Sequence, residues 1–419
     1  MKSWPLSAGR LTEHFRPGHR VFAAGLTGES ALLRHELRQF PERAAEVEFT
    51  SVQLPGVDQT DYLGLHPKAR SAAFFMTPAL REGLAQGRSA LHPLDYPGIA
   101  RHLLDAAPFD CAVAQFTPPD AQGWCCPGLS SDFTPLVWSR AHRRVGHLNP
   151  DLPRIESSFK VHVSEYDVVV EAAGAPLTVS EAPPSEVSGQ IGQHVAGLVR
   201  DGDTLQFGIG SVLSEVARAL HAHRRMRIHT GMVSSWLRTL WESGALDRDA
   251  RVVAGVVFGD PAFYDYASRL GRLFLDDVRN THAADVLVTI PRFIAINSAV
   301  EVDLFGQVNS ERSDGSIQAG AGGLPAFAQG SQLSSDGRLL ICLPATARRG
   351  QVSRVVPALD GRSMCTVPRY LADAVITEYG VAELRGLSMA ARAEAMIAIA
   401  HPDQRNELAA AWEEIARKL

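Results

Sequence analysis

The chain has 419 residues, 45% hydrophobic and 21% charged, enough apolar material for about two or three ordinary domains. Its 41 Lys+Arg against 46 Asp+Glu give a formal net charge of -5, which removes the electrostatic case for binding nucleic acid. A small anionic ligand therefore needs a local positive site.

In chain order, the first recognisable unit is RPGHRVFAAGLTGESALLRHEL from Arg16, and a similar one, VRDGDTLQFGIGSVLSEVARAL, starts at Val199. Each has a polar turn with glycine (Gly18, Gly202), a short apolar run, a glycine-bearing loop, and apolar residues at helical spacing. Their offset is close to half the chain and predicts two related α/β units. Nothing in the opening MKSWPLSAGRLTEHF reads as a signal peptide, and no stretch reaches the ~20 apolar residues that cross a bilayer, so no membrane association is expected. Cys111, Cys125, Cys126, Cys342 and Cys365 are scattered without metal-site spacing, which predicts reduced thiols in a cytoplasmic protein and no metal site. The adjacent Cys125 and Cys126 read as small buried hydrophobes in a loop.

Ala175 to Ser188 collects two adjacent prolines and polar residues, so the domain boundary is expected at about residue 185, dividing the chain into 1-185 and 186-419. Ile191, Val195, Leu198 and Val199 then fit one helical face that ends at Asp201-Gly202-Asp203. Strands are predicted at Leu205 to Phe207, Arg227 to His229, Val252 to Phe258, Val286 to Ile290, Leu339 to Leu343 and Ala374 to Thr377. Several are nearly all apolar, as strands covered by helices on both faces should be. Ser388 is placed as the N-cap of a helix over Met389 to Ala400, and Pro402 begins another carrying Leu408, Trp412, Ile415 and Leu419.

The passage from strand to helix at Gly208-Ile209-Gly210-Ser211 exposes backbone N-H groups that suit a carbonyl oxygen or a phosphate, though a plain tight turn has the same pattern. Downstream stand Asn297-Ser-Ala-Val-Glu301-Val-Asp303-Leu-Phe-Gly306-Gln-Val-Asn309, then Gly315, then Gly320-Ala-Gly322-Gly323, and finally Thr377-Glu378-Tyr379-Gly380-Val-Ala-Glu-Leu-Arg385-Gly386. With Pro118-Pro119-Asp120-Ala-Gln-Gly123, Asp201-Gly202-Asp203, Ser353-Arg354-Val355-Val356 and Ala400-His401-Pro402, this ordered series resembles the acetyl-CoA hydrolase/CoA-transferase family, of the 4-hydroxybutyrate/acetate CoA-transferase-like kind.

The resemblance implies two similar α/β domains of the CoA-transferase type with an interdomain active site. It also implies coenzyme A or acyl-CoA as substrate rather than as a tightly bound cofactor, a small carboxylate such as acetate as the other partner, and a possible homo-oligomer. In such transferases a Glu carboxylate attacks the acyl-CoA thioester, and returning CoA thiolate gives a covalent glutamyl-CoA intermediate with ping-pong kinetics. The resemblance assigns oxyanion or CoA contacts to Gly208, Ile209, Gly210 and Ser211 and to Gly320, Gly322 and Gly323.

At the nucleophile position this chain departs from the pattern. Where those enzymes show a His-x-Glu-Met-type sequence, it reads His229-Thr230-Gly231-Met232, placing Gly231 at the Glu position. Three readings stay open: another carboxylate substitutes, with Glu301 and Asp303 on one strand face; water enters the space vacated at Gly231 and hydrolyses acyl-CoA with His229 or Glu29 as base; or the chain binds acyl-CoA without turnover. Structural roles compete for each of these residues. For the CoA phosphates, Arg348, Arg349, Arg354, Arg369 and Arg385 are available, Arg354 being the internal choice.

Overall fold

The computed structural model describes residues 9–180 and 183–419. The first compact unit contains residues 9–180 and Val253–Thr281. Its main sheet is built from β1 (Arg20–Ala23), β2 (Glu48–Thr50), β3 (Arg70–Ala73), β4 (Ser89–Leu91), β5 (Cys111–Phe116), β6 (Arg144–Leu148) and β7 (Val168–Glu171). They pair in parallel in the order β7-β6-β5-β1-β2-β3-β4. Alternation along β1 serves two cores: Val21 and Ala23 pack with Leu33 and Leu37 of α1 (Ala31–Gln39), whereas Phe22 and Ala24 pack with Phe109, Phe116 and Trp138. That is why the strand carries no polar alternation. Ser30 starts α1 by accepting the Leu33 N–H at Oγ.

The second unit contains residues 183–252 and His282–Leu419. After α2 (Glu186–Ala196) come β8 (Thr204–Phe207), α3 (Ser211–Ala219), β9 (Arg227–His229), β10 (Phe293–Ser298), α4 (Leu324–Leu333), β11 (Arg338–Cys342), β12 (Ala374–Thr377), β13 (Gly380–Glu383), α5 (Met389–Ala398) and α6 (Arg405–Ala416). These strands lie in the order β13-β12-β11-β10-β8-β9, parallel but for the β12–β13 hairpin. Both units thus share one winding: the first strand is central, the second lies beside it on one side, and three later parallel strands (β5, β6 and β7; β10, β11 and β12) step outward on the other. The repeat read from the sequence is a true topological repeat, down to the turn glycines, with φ 84° at Gly18 and 81° at Gly202. That left-handed conformation is unstrained only without a Cβ.

Three expectations need amendment. Val286 to Ile290 is not a strand, because α-helical residues Ala284–Leu287 and a turn precede β10, which begins at Phe293. A short apolar run alone does not distinguish a buried helix turn from a strand. Val252 to Phe258 is broken at Gly255 into Val252–Ala254 and Val256–Val257. The boundary expected at about residue 185 is a single cut, whereas the first unit also takes in Val253–Thr281. At the C-terminus Ser388 Oγ accepts the Ala391 N–H and caps α5, while Pro402–Gln404 forms a short 3-10 turn before α6. Among the described residues no helix is long and apolar enough to cross a membrane.

Candidate active site

In a doubly wound sheet the strand order reverses beside the first strand, and the crevice outside the carboxyl ends there is the natural ligand position. In the second unit that point lies between β8 and β10. The loop Gly208–Gly210 leaves β8, Ser298 ends β10, and Thr230–Gly231 follow β9. The Gly208 N–H donates to Ile296 O at 2.9 Å. Ser298 Oγ donates to Ile209 O at 3.1 Å, and Thr230 Oγ1 donates to Phe207 O at 3.0 Å. Beneath the loop, Asn297 Nδ2 donates to Gln206 Oε1 at 2.7 Å. A Cβ on Gly208 would stand 2.6 Å from Asn297 Oδ1, and Gly210 has φ 131°, so both glycines are required where they sit. Ile209 is half exposed, which leaves this loop accessible at the strand ends. Gly210 precedes α3 and Ser211 opens it; the Ser211 side chain lies outside the described residues.

The space beside Gly231 is not empty. A Cβ there would meet His282 Cε1 and Nε2 at 2.9 Å, and a Cβ on Gly323 would meet His282 Nε2 at 2.5 Å and Cδ2 at 2.8 Å. One imidazole therefore packs against both the residue at the expected nucleophile position and the last residue of the Gly320–Gly323 loop. A side chain built at position 231 would therefore run into that ring. Gly322, with φ 62°, turns the chain into Gly323, the N-cap of α4, with Gly320 half-buried ahead of them. His282 is 2% exposed, with the Phe327 ring centroid 4.5 Å away, and burial, aided by His229, pushes its pKa down to about 3. Nothing in the Asn-Thr-His-Ala-Ala stretch signals it, so sequence reading missed this residue. β9 ends at His229, so strand alternation does not extend to Gly231.

Glu301 and Arg354 both line a neighbouring cleft of the same unit. Val302 and Asp303 pair in parallel with Val355 and Val356, which joins the Glu301 block to the Ser353–Val356 block. A cavity of about 560 Å³ is lined there by Glu301, Arg312, Arg348, Ser353, Arg354 and Arg362, among others. Glu301 Oε1 accepts from Asn309 Nδ2 at 2.9 Å and from Ser363 Oγ. Asp303 is wholly buried and accepts from the N–H groups of Phe305, Gln307 and Leu359, so it is a loop anchor. Arg348 pairs with Asp314 and Arg362 with Asp360. Arg354 has no carboxylate in ion-pair contact among the described residues; its Nη1 reaches only Ala299 O, at 3.5 Å. Burial lowers its pKa, and the field of Glu378 opposes this. Ala345 links the two, its O accepting the Arg354 N–H and its N–H donating to Glu378 Oε2. The remaining arginine candidates divide: Arg349 and Arg369 are exposed, and Arg385 is tied to Asp373 at 2.6 Å.

In the first unit Glu29 is buried, accepting from Arg34 Nη1 at 2.8 Å, from Thr60 Oγ1 at 2.8 Å and from the Gln59 N–H at 2.9 Å. It clamps the loop at Gln59–Thr60. Nearby Asp58, which carried no signal in the sequence, accepts from the N–H groups of Leu26 and Leu54, and burial raises its pKa to about 7. Cys125 and Cys126 are buried, as expected of small hydrophobes, and burial pushes the Cys125 thiol up to about 11.

The chain matches the family model of the acetyl-CoA hydrolase/transferase N-terminal domain over residues 4–181 and that of the C-terminal domain over residues 259–412. It is 31% identical over 398 residues to the 4-hydroxybutyrate coenzyme A transferase of Clostridium kluyveri, covering 93% of this chain and 92% of that one. It is 32% identical over 349 residues to the succinyl-CoA:cyclohexane-1-carboxylate CoA transferase of Geobacter metallireducens, covering 82% and 80%. The crystal structure of RipA from Yersinia pestis superposes with a TM-score of 0.89 at 25% identity over 97% of this chain and 96% of that one. By its strand winding, its glycine loops and these relationships, the chain belongs to the acetyl-CoA hydrolase/transferase family and is an enzyme of acyl-CoA transfer or hydrolysis.

Proposed function

We propose that the chain transfers CoA between a short acyl-CoA and a small carboxylate such as acetate. In this reading the thioester lies over Gly208–Gly210 and the Gly320–Gly323 loop, and the N–H groups of Ile209 and Gly210 with those of the second loop receive the developing oxyanion, the Gly208 N–H being engaged by Ile296 O. Donors of that kind contribute roughly 3–4 kcal/mol each where they have been removed in other enzymes. The observation that carries the reading is an accessible glycine loop at the point of strand-order reversal, held by Ser298 and Thr230, in a chain of this family. Arg354, a half-buried cation facing a cleft and lacking an ion-pair partner among the described residues, supplies the local positive charge that an anion such as a CoA phosphate needs. CoA enters as substrate, and because the thioester is itself the activated group, no tightly bound cofactor is required. The free thiols accord with a reducing, cytoplasmic setting.

The test is to incubate the purified protein with a panel of acyl-CoAs, with and without labelled acetate, while following free thiol and label. Label in acyl-CoA without free thiol is the expected result. Free thiol independent of acceptor means hydrolysis instead, and saturable binding with neither product across the panel would restore the silent binder that the enzymatic relatives disfavour.

A further inference from the structure

Gly231 and Gly323 are glycines for one shared reason, and it is not their backbone. Gly323 has φ -84° and ψ -12°, a conformation open to any residue, and Gly231 lies outside the left-handed region. What excludes a side chain at either position is the His282 ring, which a Cβ would approach to 2.9 Å and 2.5 Å respectively, against an ordinary contact of 3.4 Å or more. The ring has little room to retreat, being 2% exposed and packed at 4.5 Å against Phe327.

We infer that His282 takes the volume a nucleophilic side chain at position 231 would need, and that CoA exchange in this protein proceeds without a covalent enzyme thioester. The second half rests on the CoA-transfer reading above. The acceptor carboxylate then does itself what a protein carboxylate does elsewhere. Its oxygen attacks the acyl-CoA carbonyl and CoA thiolate leaves, giving a mixed anhydride. The thiolate attacks the acceptor's carbonyl carbon in that anhydride, the donor carboxylate leaves, and no proton or co-reactant is consumed. Burial holds the imidazole neutral, so it sets no cationic trap for either carboxylate beside the glycine loops. Both substrates must be bound together, which predicts sequential rather than ping-pong kinetics.

Two measurements decide it. In a thermal double-mutant cycle, Gly231→Ala should lower Tm by several degrees in the wild-type background and much less in a His282→Ala background; equal, additive losses would overturn the steric role of His282. With the full chain turning over acyl-CoA and acetate, double-reciprocal plots should intersect and intact mass should show no CoA adduct. Parallel plots or an adduct would overturn the non-covalent route, and an adduct abolished by Glu301→Gln would identify Glu301 as the substitute nucleophile. A protein that turns over no acyl-CoA sinks the transfer reading, and with it the route; the thermal cycle then still decides the place of His282.

Discussion

His282 and Arg354 carry opposite electrostatic problems. Moving a neutral imidazole into the interior is tolerable, but charging it there is not, so its pKa falls from 6.5 to about 3. The unfolded chain therefore binds a proton at pH values where the folded one does not, and the stability associated with His282 is present above about pH 6.5 and is lost as pH falls toward 3. One proton limits the slope to about 1.4 kcal/mol per pH unit. His282→Gln should flatten the acid limb of stability in urea titrations run across this range. Arg354 keeps its charge although half-buried, and on the proposed CoA-transfer reading its partner comes from the ligand. Arg354→Met should raise the KM for acyl-CoA about tenfold or more, the worth of a charge-assisted hydrogen bond. If kcat falls instead while KM holds, Arg354 acts on the reaction and not on CoA anchoring. Glycine at 231 was visible in the sequence, but the reason for it was not, because His282 lies about 50 residues away along the chain.

At the scale of elements, β8 and the loop after it work as a unit because Gln206 and Asn297 lock β8 to β10 while Ser298 and Thr230 hold the loop. Adding one methyl at Gly208 drives it into Asn297 Oδ1, an overpacking of the kind that costs about 1–3 kcal/mol. Gly208→Ala should therefore lower both stability and kcat/KM, and Asn297→Ala in the same chain should recover part of the stability but not the activity. Restored activity would show the loop to be a spacer. This element was legible from sequence: an apolar run, glycines and a helical pattern follow in the order that a strand, loop and helix demand. The segment 286–290 was not, since five apolar-rich residues satisfy a helix turn and a strand equally, and only their packing onto α4 decides.

Across the whole molecule, each unit carries a titrating group whose burial opposes the other's pH trend. In the first unit Asp132 is 5% exposed, its Oδ1 has no hydrogen-bond partner among the described residues, and burial, with the nearby charges of Asp277 and Asp58, raises its pKa from 3.8 to about 8. Here the folded chain holds the proton that the unfolded chain releases, so stability falls as pH rises from about 4 to about 8. Asp132→Asn, which suits the left-handed φ of 40°, should remove that decline and raise Tm near pH 8 relative to wild type. An unchanged pH profile would mean that Asp132 is ionised in the native state. The duplicated winding was announced by the spacing of Gly18 and Gly202, because a left-handed turn before a buried strand leaves a local mark that survives in any context. Family, fold class and the glycine loops follow from such local marks. The filling of the Gly231 space by His282, the lining of one cleft by Glu301 and Arg354, and the return of Val253–Thr281 to the first unit depend on contacts between distant segments. Volume and burial decide those contacts, and neither is a property of a residue until the chain has folded around it.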